Sequence, residues 1–172
     1  MKSLFKIFTE GKKKKKRCPG CGKKHKLKES VGIFIIARDT NNFLLLHRVN
    51  KPKVWSLLSG SMDKKGEQPY DTLIREIGEE LGENPNIVSG IRQLGFFKTK
   101  KTLFHLYAGF VEHEMDFPNL DKSENDRYAW HNETNLPSPI HDRWEQSFHL
   151  LKHLLDLRKS IKGKLKSLIN EK

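Results

Sequence analysis

The sequence predicts an α/β fold, a mixed β-sheet packed between helices, and three observations carry that prediction. Apolar, β-branched runs punctuated by turn residues occur both before and after the middle of the chain. Between them lies a segment with helical periodicity and its own start and stop residues, and a second helical pattern follows the last strand-like run. At 172 residues the chain suits one domain with a few dozen residues left for extensions.

Taken in order, "VGIFIIARD" is β-branched and apolar, "TNN" is a turn and "FLLLHR" is a second apolar run, so residues 31–48 read as a β-hairpin. "VWSLLSG" reads as one short strand running into a glycine turn. A helix is expected over Pro69 to Leu81. Pro69 can open it because its missing N–H would be unsatisfied in the first turn anyway, and Gly82 is placed to end it. "IRQLGFF" and "LFHLYAGFV" read as strands around a lysine-rich turn, and "RYAWHN" as a short strand. "HDRWEQSFHLLKHLLDL" reads as a helix whose Trp144, Phe148, Leu151 and Leu155 recur at helical spacing.

Composition narrows the class. Hydrophobic residues make up 35% and charged residues 31%, which suits a soluble globular protein with charged extensions. No apolar run approaches the roughly 18 residues of a membrane helix. The N-terminal "MKSLFKIFTEGKKKKKR" lacks the apolar segment and cleavage site of a secretory signal, so a cytoplasmic location is expected. The formal net charge of +12 is unevenly spread: Lys12 to Arg17 form an unbroken basic run, and Lys159, Lys162, Lys164 and Lys166 crowd the other end. Such blocks are either solvated arms or sequence-independent contacts with RNA, DNA or an anionic surface. The expected division is a basic extension over 1–29, a folded domain over 30–157 and a basic amphipathic tail over 158–172. In that tail Ile161, Leu165, Leu168 and Ile169 suit docking on the domain or contact in a homodimer. Cys18, Cys21 and His25 supply three of the four ligands of a structural zinc site, against the alternative of a chance pair.

The chemistry concentrates in "GSMDKKGEQPYDTLIREIGEELGE", Gly60 to Glu83. On the expected helix Glu76, Glu79 and Glu80 share a face, Leu73, Ile74, Ile77 and Leu81 occupy a neighbouring arc toward the core, and Arg75 lies four residues before Glu79. Carboxylates this close repel and raise one another's pKa unless a cation offsets them. Three of them with a backbone carbonyl make an all-oxygen site suited to Mg²⁺ or Mn²⁺.

The spacing Glu67, seven residues, Arg75-Glu76-Ile77-x-Glu79-Glu80-x-Gly82 resembles the Nudix box, Gly, five residues, Glu, seven residues, Arg-Glu-U-x-Glu-Glu-x-Gly-U, with U aliphatic. Ser61 stands where the box glycine belongs and Glu83 takes the final aliphatic place. The resemblance implies a Nudix-like α/β/α sandwich and a metal-dependent hydrolase that cleaves the diphosphate linkage of a nucleotide derivative. It implies Glu76, Glu79, Glu80 and the Gly60 carbonyl as metal ligands, with Glu124 as a further acidic ligand from the loop before the last strand. One of the helix glutamates doubles as base, and Glu67 and Arg75 orient the others. Arg38, Arg48 and Lys98, with Lys100 and Lys101, are candidates to grip phosphates, and Trp55, Phe34 and Tyr107 to stack on a base. Two other readings stay open: an enzyme that removes a cap or pyrophosphate from the 5′ end of RNA, supported by the basic tails, and a Nudix-fold binding module without catalysis.

Overall fold

A computed structural model of the protein describes residues 27–50, 52–64, 66–99, 101–153 and 155–156. Cys18, Cys21, His25, the basic run Lys12 to Arg17, Lys100 and the tail over 158–172 lie outside the described residues, and so do the expectations attached to them.

Strand β1 (Lys28–Ala37) begins three residues earlier than its apolar core suggests. It is followed by β2 (Phe43–Arg48), β3 (Trp55–Ser56), β4 (Leu58–Ser61) and helix α1 (Pro69–Leu81). A 3₁₀ turn (Pro85–Ile87) leads into β5 (Ser89–Lys98), β6 (Thr102–Val111) and β7 (Asn125–His131). A second helix, α2, spans residues 144–153 and 155–156. Helix α1 has the expected bounds: Pro69 stands at its first position, the Gln68 N–H donates to Asp71 Oδ2 at 3.4 Å, and Gly82 closes it in the left-handed conformation at φ 65°. A side chain at Gly82 would also overlap the Asn119 backbone, so glycine is required there twice over.

Among the described residues the strands form one mixed sheet in the order β3-β2-β1-β6-β5, with β1 and β6 parallel along all ten residues. On its other side β1 changes partner. Ser30 to Ile33 pair with β4, whereas Ile36 pairs with Phe43 of β2. β2 in turn pairs with β3 through Leu46 and His47 on one edge and with β7 on the other. The sheet therefore splits between β1 and β2, and the segment 55–61 fills the gap. The single strand expected at "VWSLLSG" is two strands because the chain changes partner at Leu57.

Alternation along β1 builds two cores. Val31, Ile33, Ile35 and Ala37 pack with Leu73, Ile77 and Leu81 of α1, while Phe34 and Ile36 pack with Trp144 and Leu151 of α2. A strand covered on both faces is apolar at consecutive positions, which is why β1 shows no polar alternation. Helix α2 starts at Trp144, three residues after the expected His141. Residues 139–141 are instead held alongside Trp55, whose N–H donates to the Pro139 carbonyl and whose carbonyl accepts from the His141 N–H, both at 2.9 Å. No helix among the described residues is long and apolar enough to cross a membrane.

Candidate active site

Arg75 organises the site. Its Nε donates to Glu67 Oε1 at 3.0 Å, one terminal nitrogen lies 2.7 Å from both Glu76 Oε1 and Glu79 Oε2, and the other donates to the Ser61 carbonyl at 3.1 Å. A planar guanidinium can serve that many acceptors from one position, and a lysine ammonium cannot. The hydrogen bond from Arg75 is the main reason the Glu67 carboxyl is held below its ordinary pKa, and the same bond leads the causes that raise Arg75 above its own.

The three helix glutamates are not equivalent. Glu76 and Glu80 are 8% and 5% exposed, whereas the Glu79 side chain is 57% exposed. Burial raises Glu76 above the usual carboxylate range, against the pull of Arg75. Burial also pushes Glu80 up to about 8, offset in part by a hydrogen bond from Asn125 and reinforced by the Glu124 and Glu76 charges. Asn125 Nδ2 donates to Glu80 Oε2 at 2.9 Å, with both residues buried, and the Ser59 N–H approaches Glu80 Oε1 at 3.4 Å. Strands β7 and β4 thus hold Glu80 between them.

Gly60 explains the close approach of α1 to β4. A side chain there would overlap the Glu76 carboxylate, so the position needs glycine for space and not for an unusual φ. Ser61 has no positive φ, so a serine fits the backbone in the place of the box glycine.

Arg75, Glu76, Glu79 and Ser61 line an open cleft of about 380 Å³, which Glu67, Glu80 and Asn125 do not border. Glu76, Glu79, Glu124 and Asp63 border it beside Arg48 and Arg143, and Gly60 and Ser59 form part of its wall. The donor set is entirely oxygen, and two buried carboxylates with raised pKa mark a place where a cation is favourable, so the residues fit Mg²⁺ or Mn²⁺. Glu79 is drawn to Arg75, and among the described residues no three His, Cys, Asp or Glu side chains are already gathered around a common point for a metal.

The structure brings Arg48 and Glu124 to the cleft but not the other substrate-binding candidates. Arg38 follows the far end of β1, eight positions from Ser30 and so roughly 26 Å along the strand. It pairs with Glu112 at 3.0 Å and lies over the Phe110 ring. Trp55 packs edge-on against His47 and His131 with Arg127 above it, outside the cleft. Lys98 ends β5 opposite Leu103, two strands from β1, and Phe34 and Tyr107 are core residues. Sequence reasoning missed Asn125 and Arg143. Asn125 adjoins Glu124 at the start of β7, two residues before the expected strand opens at Arg127, and so was read as part of the preceding loop. Arg143 was concealed inside an expected helix.

Residues 26–154 match the NUDIX domain. The chain belongs to the NUDIX family. Within that family it is 37% identical over 57 residues to the dihydroneopterin triphosphate diphosphatase of Haemophilus influenzae, a match that covers 33% of this chain and 35% of that protein. The chain thus matches only about a third of the length of that curated relative. Among solved structures, a C. elegans Ap4A hydrolase superposes with a TM-score of 0.60 at 21% identity, over 77% of this chain and 99% of that one. The E. coli dihydroneopterin triphosphate pyrophosphohydrolase superposes with a TM-score of 0.54 at 18% identity, over 76% and 98%. At these identities the superpositions establish the NUDIX fold.

Proposed function

We propose that this NUDIX protein is a metal-dependent pyrophosphohydrolase that cleaves the diphosphate linkage of a small nucleotide derivative. The observation that carries this reading is the fan of contacts from Arg75 to Glu67, Glu76, Glu79 and the Ser61 carbonyl, which ties Glu67 to the two glutamates that border the cleft. Glu76, Glu79, Glu80, Glu124 and the Gly60 carbonyl are the groups that would hold Mg²⁺ or Mn²⁺. When bound, such an ion neutralises phosphate oxygens and lowers the pKa of water. Glu79 is the residue we assign to take the proton from the attacking water, because it is by far the most exposed of the helix glutamates. Asn125 keeps Glu80 in place, and Arg48 faces the carboxylates across the cleft, where it can take the charge of a phosphate chain. The relatives named for dihydroneopterin triphosphate and Ap4A point to the same broad substrate class.

The test is to incubate the full chain with Mg²⁺ or Mn²⁺ against nucleoside triphosphates, nucleoside diphosphate sugars, dinucleoside polyphosphates and triphosphate-ended RNA. Turnover of a small nucleotide that EDTA abolishes is the expected result. Absence of turnover with either metal across the panel overturns it, and turnover confined to RNA replaces it with the 5′-end reading.

A further inference from the structure

Helix α1 lies over β1 and β4, and on its side of the sheet it leaves the outer strands β6 and β5 partly uncovered. The register decides which side chains stand there. Phe97 stacks on Phe104 in the α2 core, so its neighbour Phe96 points to the α1 side, where it pairs with His105. Four rings lie in a row on that side. The Phe96 and His105 centroids are 6.4 Å apart, Tyr107 follows two positions along β6, and Tyr70 from the first turn of α1 meets Tyr107 at 6.5 Å. Both ends of the row are open. Phe96 is 62% exposed and Tyr70 48%, and neither packs into one of the two cores.

The charge around the row has one sign. Residues 89–111, which make β5, β6 and the turn between them, contain no Asp or Glu and carry Arg92, Lys98, Lys100 and Lys101. Glu29 of β1 does reach the row, but its carboxylate lies 3.3 Å from His105 Nε2 and is taken up there. Lys98 stands two positions from Phe96 on the same side, exposed to solvent. The chain before Leu27 enters the fold at this end of the sheet: the Lys28 N–H donates to the Lys101 carbonyl at 3.0 Å, and upstream lie Lys26, Lys24, Lys23 and the run Lys12 to Arg17. Open rings beside cations match a polymer that offers flat faces and a negative backbone together. An apolar partner would instead bury the rings next to unpaired lysines, at a cost in free energy.

We infer that this face binds single-stranded nucleic acid, with bases stacked on Phe96 and Tyr70 and phosphates held by Lys98 and Lys101. A duplex keeps its bases stacked inside and offers such a face its phosphates alone, whereas a single strand offers both. Binding of this kind needs neither metal nor turnover, so it stands or falls apart from the hydrolase reading.

Fluorescence anisotropy on the full chain tests it, with labelled oligouridylate, oligothymidylate and an RNA duplex as probes, in EDTA and across a salt series. The wild-type protein should bind at least one of the two single strands, and the tighter of them tells RNA from DNA. Phe96→Ala and Tyr70→Ala should each weaken single-strand binding by about fivefold or more, because a stacking platform is lost. Neither should change duplex binding or the salt slope. Lys98→Gln should do the reverse, lowering the slope by about 0.7 for one lost phosphate contact on a single strand. Circular dichroism checks each variant, and should one aromatic variant fail to fold, the other decides. Folded aromatic variants that bind the strand as the wild type does, or that lose strand and duplex equally, assign the affinity to the basic segments and overturn the face. Absence of single-strand binding by the wild type overturns it too. So does sedimentation in which Phe96→Ala splits a dimer without weakening the strand, since a second copy of the chain then covers the row.

Discussion

Helices α1 and α2 do the same structural work on opposite faces of one sheet, and they do it with different side chains. Helix α2 covers its face with Trp144, Phe148 and Leu151, the first two stacked at 5.2 Å, against Phe34 and Phe43. Helix α1 covers its face with Leu73, Ile77 and Leu81 but also buries Glu76 and Glu80 beside them. An apolar face returns free energy for every group it removes from water. A buried carboxylate costs free energy unless a partner offsets the lost hydration. The contrast teaches that one face of the sheet is built for stability, while the other trades some of it for a place to hold charge.

The largest expected effect belongs to the α2 face. Leu151 is fully buried, so Leu151→Ala should cost about 3 kcal/mol and lower the melting temperature by roughly 6–12 °C, while turnover of the folded protein stays near wild type. A thermal melt paired with an assay well below the new midpoint checks this. Comparable loss of turnover would mean that the two faces are coupled.

Glu80→Gln should behave the opposite way. With Glu80 as one of the metal ligands proposed above, removing its charge should reduce turnover on the order of 10² at saturating metal. The metal-free protein should melt no lower than wild type, because a neutral amide replaces a group that burial already disfavours as an anion. A clearly lower melting point in EDTA would show that the Glu80 charge supports the fold.

Arg75→Lys comes next, at about tenfold in turnover, because the ammonium retains the charge but cannot reach Glu67, Glu76, Glu79 and the Ser61 carbonyl together. Steady-state rates with unchanged circular dichroism test it, and wild-type turnover would show that the fork is dispensable.

The last effect is a slope, at most about 1.4 kcal/mol per pH unit. Glu80 has a folded pKa of about 8 against an ordinary value of 4.5, so between those values the folded protein keeps a proton that the unfolded chain has released. The stability of the metal-free protein should therefore fall as pH rises through that window. Glu80→Gln should flatten the slope, and so should saturating Mg²⁺. Denaturant titrations at several pH values in EDTA measure it, and equal slopes in wild type and variant would assign the window to other groups.

The sequence made α1 legible to the residue because proline, periodicity and glycine are local signals, and the box spacing located Glu67, Arg75 and the helix glutamates. It did not reveal the split of the sheet. Whether segment 55–61 is one strand or two depends on the divergence of β1 from β2, which no short window contains. Arg38 looked like Arg48 in sequence, yet Arg38 follows β1 and Arg48 ends β2, and only the topology separates them. Asn125 escaped for a related reason: its role exists only through Glu80, with which it is paired across 45 positions of chain.

The pairing of β1 with β6 has a consequence for the order in which the protein is made. Glu29 meets His105 across 76 positions, so β1 leaves the ribosome long before its parallel partner exists. At the usual pace of roughly 5–20 residues per second, that interval lasts roughly 4–15 s. During it β2 and β4 can cover one edge of β1, while the other edge of the most apolar strand in the chain stands open. Slowing translation between codons 37 and 102 should lengthen the exposure and lower soluble yield, whereas slowing it after residue 111 should not.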